Sequence, residues 1–363
     1  MVSDKRIAIL TNMVTPYRVP FFNELAKRVS SLDVLTCVDR EVDRSWDVKN
    51  AKSYNVKKLA GITVNLNKGS DAKRILHFRF GIIWYLLFNK PDLIIIGDAS
   101  WTSFIAGFCC RMLGINYLIW NEITTTSKIS NGIVDKLRRN LFKRAEHCFS
   151  SCKMASEFLE LYGICSEKIS IVNNAVDNDY FLEKRKHYLP SRDRIRAKLG
   201  IEKDCFTFIY VGQLISRKRV IETIESVSRL SLKKSVHLLI AGTGPLEEQM
   251  KKRANELGFE DITFCGYTEG DRLAQLYVAS DALILLSDDE PWGMVINESL
   301  LFNCLIYATR TVAAAVELKE TNNGIILLSS ETDDLEVNIS IPLNRKVNVP
   351  TPRSMAEGFL SEL

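Results

Sequence analysis

The sequence predicts an α/β protein with two domains, each built around a parallel sheet. Its 363 residues exceed what one ordinary hydrophobic core holds and suit two domains of common size. Short apolar strands alternate with amphipathic helices along most of the chain, which is typical of parallel sheets covered by helices. A polar, charged stretch at 174–199 indicates the connection between the domains. We therefore expect domains at residues 1–185 and 186–345, followed by a short tail at 346–363.

The individual strands are predicted from short apolar runs that are bounded by polar or turn residues. In the first domain the sequence predicts strands at 7–10, 34–38, 93–96, 117–120, 147–150 and 169–172, with helices at 20–29, 101–113 and 132–145. In the second domain it predicts strands at 206–211, 236–241, 262–265, 282–286, 305–308 and 325–328. Open parallel sheets bind ligands at the carboxyl ends of their strands, so we seek chemistry in the loops that follow these strands.

Composition, net charge and the spacing of cysteines indicate which class of protein the chain belongs to. Charged residues at 25% and hydrophobic residues at 46% are typical of a soluble globular chain. The net charge of +4 comes without an arginine-rich arm or an aromatic recognition motif, so nucleic acid is not an expected partner. Nine scattered cysteines lack the spacing of a zinc site and indicate reduced thiols in the cytoplasm. The N-terminus enters a strand at once, which predicts no signal peptide, and the longest apolar run, 80–88, is too short to cross a bilayer.

The stretch 287–300 places two carboxylates on either side of a predicted helix start near Gly293. The first N–H groups of a helix have no partner inside it, and together with the helix dipole they favour a phosphate. Glu290 and Glu298 would lie on the order of 10 Å apart, since five helical residues advance roughly 7.5 Å and a loop adds the rest. That distance is similar to the length of a sugar, a diphosphate and a ribose laid end to end.

Each group in this stretch suits a different part of such a ligand, because carboxylates accept hydrogen bonds from hydroxyls but repel phosphate. We expect Glu290 on sugar hydroxyls and Glu298 on ribose hydroxyls. The amides of Gly293, Met294 and Val295 would lie between them on phosphate. In the alternative interpretation, the acidic residues before the helix only cap it and Glu298 faces water.

The E-x7-E pattern from Glu290 to Glu298, followed by a small residue and a strand, resembles the signature of the retaining glycosyltransferases of family 4. The resemblance implies the GT-B fold, in which two Rossmann-like domains face each other across a cleft. It implies transfer of a hexose-type sugar from a nucleotide-diphosphate sugar to a hydroxyl of a saccharide or lipid-linked saccharide, with the anomeric configuration retained. It implies no cofactor and no metal, and the expected product is a bacterial surface polysaccharide such as lipopolysaccharide.

Loops of the second domain supply further residues of the implied donor site. The loop after its first strand contains Lys218, which resembles the family's diphosphate-binding lysine. The arginine that usually follows Gly212 is Gln213 here, so Arg217 or Arg219 would supply the missing positive charge. The alternative is that these basic residues form a solvated run.

The next two loops would line the same site. Gly242 and Gly244 follow the second strand and would let the backbone approach a ligand. They do not form a dinucleotide fingerprint, because Glu247 replaces its third glycine. After the third strand, Tyr267 and Thr268 match the family's loop whose backbone contacts the nucleobase. Without the resemblance, this loop would be interpreted as a turn and a helix cap.

In the first domain, the segment 11–28, TNMVTPYRVPFFNELAKR, resembles a subgroup of these enzymes that builds bacterial surface polysaccharides. Tyr17 and Arg18 would face the cleft, with Arg18 on a donor phosphate or an acceptor anion. The alternative is an ordinary amphipathic helix with Arg18 exposed. None of the four histidines matches the family's cleft histidine, so Glu122 or Asn121 would take over its sugar contacts.

The expected catalytic residues are therefore Glu290, Lys218 and Glu122, and three rival functions stay open. A metal-dependent transferase of another fold would use an Asp-x-Asp site, and residues 177–179 match this pattern. A nucleotide-sugar epimerase of the same fold would need no acceptor. A non-catalytic partner would bind the nucleotide sugar without transferring it.

Two regions bear on membrane contact and on the tail. The basic stretches 73–79 and 135–144 could contact anionic lipid at the inner face of the membrane, with solvated helix faces as the alternative. We expect weak peripheral contact because the resembling subgroup often acts on lipid-linked acceptors. Family members usually end in long helices that return to the first domain, whereas only 354–363 has a helical pattern here.

Overall fold

The computed structural model describes residues 3–39, 53–66, 74–97, 99–127, 132–329 and 345–362, which fold as two units. The first unit is Met1–Val176 with Pro350–Leu363, and the second is Asp177–Val349. The sequence placed this boundary after residue 185. The chain changes unit earlier because the helix that follows Val176 packs on helices of the second unit. Of the residues that we expected as a separate tail, 346–363, those from Pro350 onward belong to the first unit.

The first unit is built on strands that are, in chain order, β1 (Ser3–Thr11), β2 (Val29–Thr36), β3 (Asn55–Lys58), β4 (Ile62–Leu66), β5 (Arg74–Phe78), β6 (Leu93–Ile96), β7 (Asn116–Asn121), β8 (Cys148–Ser150) and β9 (Ile169–Ile171). Seven of them form a parallel sheet in the order β3-β2-β1-β6-β7-β8-β9, and β4 pairs with β5 in a separate antiparallel hairpin. The helices of its main segment are α1 (Val19–Ala26), α2 (Gly81–Asn89), α3 (Trp101–Leu113), α4 (Ile133–Lys143) and α5 (Lys153–Leu161).

Side chains of this sheet alternate between two hydrophobic cores. On β1, Ile7 and Ile9 belong to one core and Ala8 and Leu10 to the other. This alternation has the period of two that an extended strand imposes. Helices therefore pack on both faces, which is why the central strands read as continuous apolar runs.

The second unit is built on β10 (Phe206–Val211), β11 (Val236–Ala241), β12 (Ile262–Gly266), β13 (Ala282–Leu285), β14 (Leu305–Thr309) and β15 (Ile325–Leu328). Its helices are α6 (Asn178–Tyr188), α7 (Arg192–Lys198), α8 (Val220–Ser231), α9 (Glu247–Glu256), α10 (Gly270–Ala279), α11 (Met294–Leu301) and α12 (Ala313–Leu318). The strands are parallel in the order β12-β11-β10-β13-β14-β15, which is the Rossmann order. The prediction of an α/β chain with two parallel sheets is confirmed.

The sequence prediction missed β3, the β4–β5 hairpin and α2. The β3 segment, NVKK, is a mostly exposed edge strand without an apolar run. The α2 segment, GIIWYLLFN, is apolar on nearly all sides, so it lacks the period that marks a helix. Among the helices described here, none is both long enough and apolar enough to span a bilayer.

The last helix, α13 (Pro352–Leu360), completes the core of the first unit. Phe359 is fully buried, and its ring centroid lies 4.4 Å from that of Phe149, 5.0 Å from that of Trp120 and 5.2 Å from that of Phe21. The helical pattern expected at 354–363 is therefore an element of the first unit's core, contributed from the far end of the chain.

We predict that Phe359→Ala lowers the free energy of unfolding by about 3–5 kcal/mol, because it opens a cavity among aromatic rings. Urea unfolding followed by tryptophan fluorescence measures the loss. Phe88→Ala is the matched control, since Phe88 is 79% exposed, and it should stay within about 0.5 kcal/mol of the wild type. Equal unfolding midpoints for the two variants would contradict the role of α13 in this core.

Candidate functional site

The loops after β10 and β13 lie side by side at the point where the strand order of the second sheet reverses. The Asp288 amide donates a hydrogen bond to the Arg217 carbonyl at 2.9 Å. The Arg217 guanidinium in turn donates to the Asp289 carbonyl. The two loops that the sequence singled out are therefore one continuous surface. Open sheets of this order bind their ligands at this reversal point.

A buried ion pair joins the two loops. The Lys218 ammonium contacts Glu290 Oε2, and each side chain is only 13% exposed. The Ser287 hydroxyl lies 3.5 Å from the same carboxylate oxygen. Burial, and secondarily the charge of Arg217, lower the pKa of Lys218 from its ordinary value, while the contact with Glu290 favours its charged form. The cation and the carboxylate thus stabilise each other in a place where either alone would be costly.

Backbone hydrogen bonds from the loop after β14 fix the loop that carries Glu290. The Glu290 amide donates to the Thr311 carbonyl at 3.2 Å, and its carbonyl accepts from the Ala313 amide at 3.1 Å. The Ala314 amide donates to the Trp292 carbonyl at 2.9 Å. The main chain on both sides of the carboxylate is therefore anchored to a second loop of the same sheet.

Helix α11 begins at Met294, directly after Gly293, whose φ of +95° favours glycine. A Cβ atom there would also lie 3.1 Å from Glu290 Cγ. Within the described residues, the amides of Gly293, Met294 and Val295 have no hydrogen-bond partner, as expected for a first helical turn. No side chain in the described part of the chain caps this helix, so the alternative interpretation of the preceding acidic residues as caps is wrong.

Glu298 lies one turn further along α11 and does not simply face water. It is half-buried, and its Oε2 accepts a hydrogen bond from the Tyr277 hydroxyl at 2.7 Å. Burial raises the pKa of Glu298 from 4.5 to about 7, and the hydrogen bond from Tyr277 opposes this rise. Sequence reasoning missed Tyr277, whose only signal was its place in an apolar helix.

Two predicted site glycines, Gly242 and Gly244, are required by the packing of the loops, and their contact with a ligand stays a prediction. A Cβ atom on Gly242 would lie 1.8 Å from the Gly212 carbonyl oxygen, and one on Gly244 would lie 2.4 Å from that of Leu214. These glycines let the loops after β10 and β11 pack against each other, which explains their type without a ligand. Gln213 is exposed beside them.

The loop after β12 carries the residues expected near a nucleobase. Tyr267 is 44% exposed, and its hydroxyl donates to Glu269 Oε2 at 2.7 Å. The Thr268 hydroxyl oxygen is buried and has no hydrogen-bond partner in the part of the chain that the structure describes. Contact of this loop with a base stays a prediction.

A second polar cluster lies in the first unit, at the carboxyl edge of its sheet. Arg18 is buried, so the alternative that left it exposed is wrong. Its guanidinium lies 4.2 Å from the Trp120 ring centroid, contacts Glu122 Oε1 and donates to Asn174 Oδ1 at 2.9 Å. Asn174 also donates to Glu122 Oε1 at 2.5 Å. Tyr17 flanks Arg18, its ring centroid 5.4 Å from the guanidinium carbon.

The sequence did not identify Asn174 as a site residue, although its position directly after β9 was a usable signal. The side chain of Glu122 is 38% exposed, and its Oε1 is the oxygen that binds Arg18 and Asn174. The predicted residues are thus brought together in two groups, one in each unit. Their binding and catalytic roles stay predictions.

Comparison with known proteins gives a family match in the C-terminal half. Residues 191–357 match the family model described as glycosyl transferases group 1. The chain is 25% identical over 338 residues to a D-inositol 3-phosphate glycosyltransferase of Saccharomonospora viridis, covering 86% of this chain and 76% of that one. It is 21% identical over 186 residues to an uncharacterized glycosyltransferase of Methanocaldococcus jannaschii, covering 51% and 47%. The chain spans about half the length of the first curated relatives it matches.

Solved structures resemble the whole chain. Anabaena HepE in complex with UDP matches with a TM-score of 0.66 and 13% identity, over 98% of this chain and 89% of that one. WaaG, a glycosyltransferase involved in lipopolysaccharide biosynthesis, matches at 0.61 with 16% identity, over 97% and 93%. The UDP-GlcNAc 2-epimerase of Methanocaldococcus jannaschii matches at 0.55 with 14% identity, over 98% of each chain. The GT-B fold class is thereby confirmed, and the family model and relatives support a relationship to the group 1 glycosyl transferases.

We predict that Glu298→Gln raises the melting temperature at pH 8 but changes it little at pH 5. The folded-state pKa of Glu298, about 7, lies above its ordinary value of 4.5, so the protonated form is favoured on folding. The stability that this preference contributes is present below the unfolded pKa and is lost as pH rises through 7. Replacing the carboxyl group removes the loss and keeps an acceptor for Tyr277.

Thermal unfolding at both pH values measures this effect. Glu248→Gln is the control, since the Glu248 side chain is 86% exposed, and it should shift the two melting temperatures equally. A Glu298→Gln shift that is the same at pH 5 and pH 8 would show that burial does not perturb this carboxyl group.

Proposed function

We propose that the chain is a glycosyltransferase that moves a hexose-type sugar from a nucleotide-diphosphate sugar to a hydroxyl of an acceptor. The observation that carries the proposal is the buried pair of Lys218 and Glu290 beside the unpaired amides at 293–295. The match of residues 191–357 to the group 1 glycosyl transferases supports it. The fold likeness to HepE, whose crystal contains UDP, supports a nucleotide-sugar donor.

The Lys218 ammonium is the group that we assign to the diphosphate. A diphosphate carries more negative charge than one carboxylate, so it can replace Glu290 as the partner of Lys218. Glu290 is then released to accept hydrogen bonds from sugar hydroxyls. As the bond between sugar and phosphate breaks, negative charge grows on the phosphate oxygen, and Lys218 with the amides at 293–295 stabilises it.

We further propose that transfer retains the anomeric configuration and needs no metal. The acceptor oxygen bonds to the anomeric carbon on the face from which the diphosphate departs, and the acceptor proton passes to a departing diphosphate oxygen. The exposed Arg217, which precedes Lys218 in the chain, adds positive charge for the donor. In the first unit we assign Glu122 to an acceptor hydroxyl, through the oxygen that Arg18 and Asn174 leave available.

A second candidate function is a nucleotide-sugar epimerase, which the likeness to a UDP-GlcNAc 2-epimerase keeps open. Product analysis with the donor alone separates the two, because an epimerase converts the donor without an acceptor. A non-catalytic partner would bind the donor tightly and release neither transfer nor hydrolysis products across an acceptor panel.

The acceptor that we propose is a saccharide or lipid-linked saccharide, at a membrane surface that the first unit contacts. Trp84 and Phe88 on α2 are 62% and 79% exposed and stack on each other at 6.0 Å. Helix α3, which packs on α2, exposes Phe108 and Met112 at 60% and 72%. Aromatic side chains of this kind favour the interface of a bilayer.

The basic stretches contribute less to this contact than the sequence suggested. Arg79 is buried and donates to the Thr63 hydroxyl at 2.7 Å, and the start of its stretch lies outside the described residues. In α4 and its C-terminal end, Arg138 is buried, while four other basic side chains are exposed, Lys136, Arg139, Lys143 and Arg144. Helix α4 packs on α3, the helix that exposes Phe108 and Met112, and its cations can attract anionic lipid.

We predict that Lys218→Ala and Glu290→Gln each lower turnover about 10²–10³-fold and change the melting temperature by only a few degrees, because the lost groups act on charge that develops during transfer. The assay follows release of nucleoside diphosphate from UDP-sugars, in excess chelator, with a panel of saccharide acceptors. Lys252→Ala, whose parent side chain is 80% exposed, is the control with unchanged turnover. Wild-type rates in both site variants would refute the roles of Lys218 and Glu290.

We predict that Trp84→Ser and Phe88→Ser weaken binding to vesicles of phosphatidylglycerol and phosphatidylethanolamine about tenfold, since each removes apolar area from the bilayer interface. Vesicle sedimentation gives the bound fraction. Leu232→Ser, at an 86% exposed position of the second unit, should bind as the wild type does. If all three variants sediment equally with vesicles, α2 is not the contacting surface.

A further inference from the structure

Tyr277 and Glu298 form a second buried polar pair, separate from Lys218 and Glu290. Tyr277 on α10 is fully buried, and its hydroxyl donates to Glu298 Oε2 at 2.7 Å. Its ring stacks on Phe302 with centroids 5.2 Å apart and planes 30° apart. Its carbonyl accepts a hydrogen bond from Cys304 Sγ at 3.6 Å. The phenol is therefore held on its ring face, at its hydroxyl and through its backbone.

This contact restricts the carboxylate of Glu298. A phenol has one proton to donate, and here it is directed at Oε2, which fixes the rotation of the carboxyl group. The other oxygen, Oε1, has no hydrogen-bond partner within the described residues, and the residue is only half-buried. A long side chain that is already ordered binds a ligand without losing its rotational freedom at that moment. Oε1 is thus an acceptor that is oriented before any ligand arrives.

A purely structural account explains the pair poorly. Apolar side chains of similar volume would fill the space between α10 and α11 without burying a carboxyl group, and such replacements are often neutral or stabilising. The pair also lies one helical turn from the unpaired amides at 293–295, where a phosphate would be bound. A nucleotide with an intact ribose carries both a phosphate for these amides and hydroxyl groups for Glu298.

We infer that Tyr277 is a positioning residue, which sets Glu298 so that Oε1 accepts a hydrogen bond from a ribose hydroxyl of the nucleotide. This assignment rests on the proposed function and deepens it. It attributes to the Tyr277 hydroxyl the higher affinity of the protein for ribonucleotides than for their deoxy analogues. Tyr277 does not touch the nucleotide, and its effect passes through Glu298 alone.

Binding of ribose and deoxyribose ligands distinguishes this role from core filling. UDP, ADP and GDP are titrated calorimetrically against the wild type, and the tightest of them is compared with its 2′-deoxy and 3′-deoxy analogues. We expect the wild type to bind at least one deoxy analogue about tenfold or more weakly than the parent. In Tyr277→Phe this ratio should fall towards one, with affinity for that analogue changed less than about threefold.

Two further variants complete the experiment. Tyr54→Phe is the matched control, because Tyr54 is a buried tyrosine of the first unit whose hydroxyl has no hydrogen-bond partner in the described chain, and it should keep the wild-type ratio. Glu298→Ala should abolish the ratio, and adding Tyr277→Phe to it should change nothing more.

The possible results distinguish failure of the assignment to Tyr277 and Glu298 from failure of the proposed function. If Tyr277→Phe weakens parent and deoxy ligands by the same factor, its role is structural and the assignment is overturned. If the wild type binds one of the diphosphates but shows no preference for ribose, the assignment to Glu298 is overturned while the proposed function stands. If the wild type binds none of the three diphosphates, the proposed function falls and this assignment falls with it.

Discussion

The contact between Lys218 and Glu290 is the constraint on which the candidate site depends. Each charge is almost removed from water, and an isolated ion in such a place would favour its neutral form. The pair therefore determines how the loops after β10 and β13 meet, with support from the bond between the Asp288 amide and the Arg217 carbonyl. A ligand that competes for Lys218 must offer at least as much negative charge as the carboxylate that it replaces, and a diphosphate does.

The sheet explains why these loops meet where they do. In the order β12-β11-β10-β13-β14-β15, the strands β10 and β13 are neighbours. The connection after β10 leads towards one edge of the sheet and the connection after β13 leads towards the other. In sheets of this order a crevice lies between two such loops, at the carboxyl ends of the strands. The glycines of the loop after β11 let that loop contact the loop after β10, at positions where a Cβ atom would collide with Gly212 or Leu214. These glycines are thus needed by the scaffold, and the polar groups that chemistry requires are placed on the neighbouring loops.

The local sequence pattern was enough to predict the strands of both sheets and the start of α11. Every strand predicted from an apolar run is present, because burial on both faces of a sheet imposes a strong sequence signal. Helix α11 begins at Met294, next to the expected Gly293. Pairings over long separations could not be predicted in this way. Arg18 has the polar, basic character of a surface residue, and only folding brings Glu122 and Asn174 to it from 104 and 156 residues away. The partnership of Tyr277 with Glu298 is hidden for the same reason.

The burial of Arg18 also bears on which ligand its cluster suits. The sequence suggested a phosphate or an acceptor anion, yet the guanidinium already contacts Glu122 Oε1, donates to Asn174 and lies against the Trp120 ring. A cation that is neutralised by a carboxylate and covered by an indole attracts an anion weakly, and the half-exposed Glu122 would repel one. A neutral hydroxyl-rich group meets neither difficulty, because Glu122 can accept a hydrogen bond from it while Arg18 holds the carboxylate in place. The two clusters therefore differ in character, and the one in the first unit suits a saccharide.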